Sequence, residues 1–113
     1  MTGNAPALVD LLQELVVDVL VGHTGSFKLG VASEPRSRFS FYSREGFSRM
    51  VVLHRATDCT QTASLERALI ARFSRLSLPG VTLLNRAPGG ESVSSSCIYT
   101  YVVLKPLRSN IWI

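Results

Sequence analysis

The residue of this sequence that most suggests chemistry is a glutamate on an apolar helix face. The segment 61–76 has helical spacing, and at about 100° per residue Glu66 falls inside the apolar stripe of that helix. The stripe comprises Leu65, Leu69, Ile70, Phe73 and Leu76. Burying a carboxylate without a partner costs several kcal/mol, so an arginine, a metal ion or a wet cleft must meet it. The structural alternatives are a buried Glu–Arg ion pair, or a helix rotated enough to bring Glu66 to solvent.

A shorter helix offers cationic and phenolic partners for that carboxylate. Ser33-Glu34-Pro35 is typical of a helix start, and the helix should stop near Gly46. Arg38 and Tyr42 are four residues apart and therefore share one face of it. An arginine that neutralises developing charge, a glutamate that holds a divalent metal and a phenol that handles a proton make up a phosphate-directed site. The alternative is a solvated arginine and a core tyrosine.

Two histidines are further candidates for proton transfer. His23 follows an apolar run in a glycine-rich turn, and His54 lies at the end of another apolar run. A lone histidine is more often structural than catalytic. Ser94-Ser95-Ser96 lacks the Gly-x-Ser-x-Gly elbow, and Gly89-Gly90 is not followed by the Lys-Ser or Lys-Thr of a P-loop, so hydrolase-triad and triphosphatase interpretations are weak.

The charge distribution favours a polyanionic partner. Residues 1–20 carry a net charge of −3, whereas residues 21–113 carry +7, and ten of the twelve basic residues are arginine. The planar guanidinium suits phosphate contacts, so nucleic acid is the favoured partner, with DNA ranked ahead of RNA; a solvated basic surface is the alternative. The candidate phosphate contacts are Lys28, Arg36, Arg44 and Arg86.

The elements that must position these residues follow from hydrophobic periodicity. We expect an N-terminal helix over 6–15, a β-hairpin over 16–32, the arginine helix, a third strand over 49–56 and the glutamate helix. A short apolar piece over 81–84, a loop over 86–96 and a last strand over 98–104 complete the chain. This order predicts an α+β domain: one small, mainly antiparallel sheet of three to four strands, flanked by helices.

Length and composition limit the class of protein. One hundred and thirteen residues predict a single domain over 1–113, and an apolar content of 46% is enough for a core. The longest apolar stretch, 11–21, is broken by charges and is shorter than the roughly 20 residues of a membrane span. With no basic residue in the first twenty, no secretory signal is expected, and we predict an intracellular protein without a membrane partner.

Three segments resemble the GIY-YIG nuclease superfamily over about residues 16–90. Phe27-Lys28-Leu29-Gly30 and the following residues resemble the YIG segment, because Arg38 comes eight residues after Gly30 and Tyr42 four residues later. The segment 64–70 around Glu66 resembles the family's metal-binding glutamate helix. The segment 84–90 resembles its asparagine segment, with Asn85 at the motif position. The resemblance implies a β-hairpin that carries the GIY and YIG tripeptides.

The chain departs from the family at both motif tyrosines. YIG has become Lys28-Leu29-Gly30, and the expected GIY strand reads Val17-Asp18-Val19-Leu20, with Val19 roughly where the first tyrosine would pair across the hairpin. A Lys-Ile-Gly version is similar to what some branches carry. The general base is therefore unassigned, and Tyr42, Lys28 and His23 are the candidates in that order.

The resemblance implies a metal-dependent endonuclease that cleaves DNA or RNA. Glu66 would bind one Mg²⁺ or Mn²⁺, Arg38 would stabilise the phosphate, Tyr42 or Lys28 would act on water, and Asn85 would fix the geometry. The alternatives are a nucleic-acid-binding module on the same scaffold without hydrolysis, and a structural α+β domain with accidental matches. A chain this small usually needs a homodimer or an attached reading domain for site specificity.

Overall fold

The computed structural model describes residues 5–85 and 98–107, and these ranges form an α+β fold. Within them lie three helices and four strands. The helices are α1 (Ala5–Leu20), α2 (Pro35–Arg44) and α3 (Cys59–Arg75). The strands are β1 (Gly25–Ala32), β2 (Arg49–Arg55), β3 (Val81–Leu83) and β4 (Tyr99–Pro106). No helix in the described ranges is both long and apolar enough to cross a bilayer.

The four strands form one mixed sheet in the order β2-β4-β1-β3. β4 pairs antiparallel with both β1 and β2, whereas β1 and β3 are parallel. The β2–β4 pairing contains an irregularity between Val52 and His54. The predicted fold class, a small and mainly antiparallel sheet flanked by helices, is confirmed.

The predicted β-hairpin over 16–32 is wrong, because its first half is helical. Val16 to Leu20 continue α1, so the N-terminal helix runs past the predicted end at residue 15. Val9, Leu12, Val16 and Leu20 follow helical spacing and are all buried, so helical burial outweighs the β propensity of the valines. Val21, predicted to be in a strand, is 75% exposed.

The remaining elements agree with the sequence to within a few residues. α2 begins at Pro35 with Glu34 at the cap, and the chain turns at Gly46, which has a φ of 97°. α3 begins two residues earlier than predicted, because the Asp58 carboxylate accepts a hydrogen bond of 2.9 Å from the Gln61 N–H. The predicted loop over 86–96 lies outside the described residues.

Side chains alternate across the sheet and define two faces of different composition. On the two-helix face, Phe27, Leu29, Val102 and Leu104 pack against α1 and α3 in an apolar cluster. Its Phe27 and Phe73 rings meet edge to face, with centroids 5.6 Å apart. On the other face, which we call the α2 face, Tyr101 and Val103 pack with Ala32, Tyr42 and Phe47. The predicted site residues of β1 and α2 belong to this second face.

Candidate active site

A buried pair of tyrosines forms the centre of the candidate site. Tyr42 on α2 and Tyr101 on β4 share a hydrogen bond of 2.8 Å between their hydroxyl groups, and either can donate. Their rings meet edge to face at a centroid distance of 5.8 Å. Tyr101 is 2% exposed and Tyr42 9% exposed. The two phenols therefore satisfy one another away from bulk water.

Tyr101 was not among the residues selected from the sequence. It lies directly opposite Gly30 in the antiparallel β1–β4 pairing, which joins residues far apart in the chain. A Cβ atom added at Gly30 would come within 3.0 Å of the hydroxyl and ring atoms of Tyr101. Glycine at this position allows the Tyr101 ring to lie against the strand. Alternation in the last strand would have selected Tyr101 only if β4 had been recognised as the partner of β1.

The charges of Arg38 and Glu66 both act on the Tyr101 phenol. Burial, reinforced by the hydrogen bond and charge of Tyr42, raises the pKa of Tyr101 far above its usual value. The Arg38 guanidinium lowers that pKa and the Glu66 carboxylate raises it, both by smaller amounts. Tyr101 therefore remains protonated at neutral pH. The Tyr101 phenol is thus influenced by a charge on α2 and by a charge on α3.

Glu66 and Arg38 differ in exposure. Glu66 is half-buried beside the fully buried Leu65 and Leu69 of the same helix. Arg38 is exposed, and its guanidinium carbon lies 5.8 Å from the centroid of the Phe41 ring. The Glu66 carboxylate is thus partly shielded from solvent, whereas the Arg38 guanidinium is accessible to an anion.

Lys28 lies on the α2 face of β1, opposite Val103 of β4. Its side chain is half-buried, and its Nζ is 5.6 Å from the centroid of the Tyr42 ring. A second cation on this face was missed from the sequence: Lys105 of β4 places its Nζ 5.5 Å from the centroid of the Phe47 ring. Two ammonium groups therefore border the aromatic cluster.

Asn85 binds the backbone of the Lys28-Leu29-Gly30 segment. Its Oδ1 accepts a hydrogen bond of 2.8 Å from the Leu29 N–H, and its Nδ2 donates one of 2.9 Å to the Leu29 carbonyl oxygen. The side chain continues the parallel β1–β3 ladder beyond Leu83. Both ends of the Asn85 amide are therefore engaged with the backbone of Leu29.

The structure does not bring either histidine to the tyrosine pair. His23 donates a hydrogen bond of 3.1 Å to the Ser26 carbonyl oxygen, and Ser26 lies roughly 13 Å along β1 from Gly30. His54 pairs in register with Thr100, whose side chain alternates to the other face from Tyr101. Tyr42 and Lys28 remain as the candidate proton carriers.

Two of the predicted phosphate contacts lie on the surface of α2. Arg36 and Arg44 are exposed and lie around the helix from the face that carries Arg38 and Tyr42. Arg86 falls outside the described residues. Arg36 and Arg44 therefore form an exposed basic surface on the side of α2 that faces away from the tyrosine pair.

Among the candidate site residues, Glu66 supplies the one carboxylate that could hold a metal ion. Within residues 5–85 and 98–107, no group of three or more His, Cys, Asp or Glu side chains comes together. Magnesium often keeps several waters and binds one or two carboxylates together with substrate phosphates. The half-buried Glu66 carboxylate could take part in such an arrangement, whereas the described residues offer no cage built from protein ligands alone.

Comparisons of the chain with protein-family models, with curated proteins and with solved structures found no match. The likeness to GIY-YIG nucleases thus depends on the residues and geometry described above.

Proposed function

We propose that this protein is a metal-dependent phosphodiesterase of the GIY-YIG type that cleaves nucleic acid. The observation that carries the proposal is the buried hydrogen bond between Tyr42 and Tyr101. The charges of Arg38 on α2 and Glu66 on α3 both influence the Tyr101 phenol. Arg38, Tyr42 and Glu66 lie on two helices separated by β2, and each was selected from the sequence for a different chemical role. A convergence of cation, phenol and carboxylate supports phosphate-directed chemistry.

The pairing of β1 with β4 offers a new account of the missing motif tyrosines. In the family pattern the YIG strand pairs with a GIY strand that precedes it. Here the antiparallel partner of Lys28-Leu29-Gly30 is β4, which follows it in the chain, and Tyr101 lies opposite Gly30. We infer a rearranged order in which β4 takes the place of the GIY strand. Under this proposal Lys28 replaces one motif tyrosine, while Tyr101 supplies the other.

Each residue then has a role in the hydrolysis of a phosphodiester. Arg38 binds the scissile phosphate and stabilises the charge that grows on its oxygens as water attacks phosphorus and the ester P–O bond breaks. Tyr42 or Lys28, in its deprotonated form, accepts the proton of that water, and the leaving ester oxygen keeps the electrons of the broken bond and takes a proton from solvent. Tyr101 keeps its own proton and donates it in a hydrogen bond when the Tyr42 oxygen carries negative charge.

The metal and the asparagine complete this proposal. Glu66 would hold a Mg²⁺ or Mn²⁺ ion, which when bound supplies positive charge at the phosphate. Asn85 fixes the backbone on either side of Lys28 through its two hydrogen bonds to Leu29. Water must reach the phosphate that Arg38 binds, and the exposure of the Arg38 side chain permits this access.

The direct test incubates the purified chain with labelled single-stranded and duplex DNA and RNA, with Mn²⁺ or with a chelator. We expect cleavage that requires the metal, reduced on the order of a hundredfold by Arg38→Ala. Arg75→Ala is the matched control, since it removes the same charge from an exposed position on α3 to which no role is assigned, and it should keep most of the activity. Equal activity of the two variants would contradict the assigned role of Arg38.

The second candidate is a nucleic-acid-binding module without hydrolysis. The mutual hydrogen bond of Tyr42 and Tyr101 favours it, because two buried phenols that satisfy each other stabilise a fold without any chemistry. In that case Lys28, Arg36 and Arg44 would contribute binding only, and each lost phosphate contact would lower the salt slope of affinity by roughly 0.9. Binding without cleavage, in wild type and in Lys28→Tyr, would select this candidate.

A further inference from the structure

An exposed phenylalanine lies beside the candidate phosphate-binding arginine. Phe41 is 60% exposed, although it is a large apolar side chain on a helix that is otherwise mostly polar. The Arg38 guanidinium lies over one face of its ring at 5.8 Å from the centroid. The remainder of the ring is open to solvent, next to a cation that we assign to the scissile phosphate.

A second aromatic–arginine pair lies on the sheet beside the same site. Tyr99 is half-buried on β4, two residues from Tyr101, and its side chain therefore points to the α2 face. The Arg55 guanidinium lies 5.9 Å from the centroid of the Tyr99 ring. Aromatic rings with arginine neighbours thus lie on α2, next to Tyr42, and on β4, two residues from Tyr101.

We propose that Phe41 and Tyr99 stack against unpaired bases, so that the preferred substrate is single-stranded or locally unpaired nucleic acid. This inference depends on the proposed function, because it takes the anion at Arg38 to be a nucleic-acid phosphate. In a continuous duplex the faces of the bases are already stacked on one another and cannot reach a ring on a protein surface. An unpaired base presents a free face, and stacking on an aromatic side chain tolerates any sequence.

Each aromatic–arginine pair can bind two parts of one nucleotide. The arginine attracts the phosphate of a nucleotide, and the adjacent ring receives its base, so one nucleotide is held at both ends. Neither ring is needed for the reaction at phosphorus. Loss of a ring should therefore weaken the binding of unpaired strands while the response to metal and the binding of duplex persist.

The test measures equilibrium binding of the full chain to a fluorescent single-stranded DNA and to the corresponding duplex, in chelator to prevent cleavage. We expect tighter binding of the single strand, and a loss of about tenfold for Phe41→Ala on the single strand only. Phe41→Leu should lose a similar factor, because it keeps an apolar side chain without the ring. Tyr99→Leu tests the second ring in the same way.

Leu11→Ala is the matched control, because Leu11 is 52% exposed on α1 and belongs to the opposite side of the sheet. Full affinity of Phe41→Leu for the single strand, or equal losses on the single strand and the duplex, would overturn the stacking proposal. Metal-dependent cleavage in that event would leave the proposed function in place. Absence of both binding and cleavage in the wild type would overturn the two together.

Discussion

The two faces of the sheet are built from different residues and are covered to different extents. α1 and α3 both cover the two-helix face, where the buried apolar cluster is aliphatic apart from two phenylalanines. One ten-residue helix covers the α2 face, and its buried cluster contains two tyrosines with Lys28 and Lys105 at its border. The first face can hold the fold together by burial alone, so polar groups on the second face are open to a functional role.

The same contrast holds between the helices. α3 buries five residues and α1 buries a continuous stripe, whereas Tyr42 is the buried residue of α2. An aliphatic contact gains stability from removal of apolar area from water. Burial of a pair of phenols adds little stability unless both hydroxyl groups form hydrogen bonds. Changes on the two-helix face should therefore alter stability most, and changes on the α2 face should alter function more than stability.

The largest expected effect on stability comes from Leu69→Ala on the two-helix face. Leu69 is fully buried against β1 and β4, so its loss removes transfer free energy and leaves a cavity. We expect a loss of about 2–5 kcal/mol in the free energy of unfolding, measured by urea denaturation. Cleavage per folded molecule should stay near that of the wild type. If Leu69→Ala lowered the free energy of unfolding by no more than a surface substitution does, the two-helix face would not be the main source of stability.

A smaller effect is expected from Gly30→Ala at the tyrosine pair. The backbone of Gly30 is not in the left-handed region, so the cost arises from contact with the Tyr101 ring and not from backbone strain. We expect a loss of about 1–3 kcal/mol from overpacking and a larger proportional loss of cleavage. In a Tyr101→Leu background the same substitution should cost little, which a double-mutant cycle measures.

The smallest effect on stability should appear in the alkaline pH dependence. Because the folded-state pKa of Tyr101 is raised above the unfolded value of about 10, its contribution is full below that pH and decreases as pH rises above it. The slope from one such group is about 1.4 kcal/mol per pH unit. Absorbance of tyrosinate should show fewer titrating phenols in the folded state than in urea. Tyr101→Phe should flatten the slope, and an unchanged slope would contradict the raised pKa.

Local patterns in the sequence predict most of the elements. The glutamate helix and the strand over 49–55 follow from periodicity and capping, because the relevant interactions lie within a few residues. The valines after Leu15 were misjudged because their β propensity is weak beside the burial of Val16 and Leu20 against the core. Propensity describes a residue in isolation, whereas burial depends on the partners that tertiary structure supplies.

The candidate site was predicted in part, and the missing part is long-range. Arg38 and Tyr42 could be related by helical spacing, and Glu66 by its place in an apolar stripe. Tyr101 is separated from Tyr42 by 59 residues, so no local spacing relates the two hydroxyl groups. The predicted hairpin also assigned a wrong partner to β1, which concealed the residue opposite Gly30.

The central claim, that Glu66 of α3 takes part in the proposed phosphodiester chemistry, is tested most directly by Glu66→Gln. Cleavage in Mn²⁺ and the midpoint of thermal unfolding are measured on the same preparation, with Glu14→Gln on α1 as a matched control. We predict that cleavage falls on the order of a hundredfold while the midpoint stays close to that of the wild type. Unchanged cleavage would contradict the claim. So would a fall in the midpoint of more than about 10 °C, which the loss of a buried ion pair worth about 3–5 kcal/mol would produce.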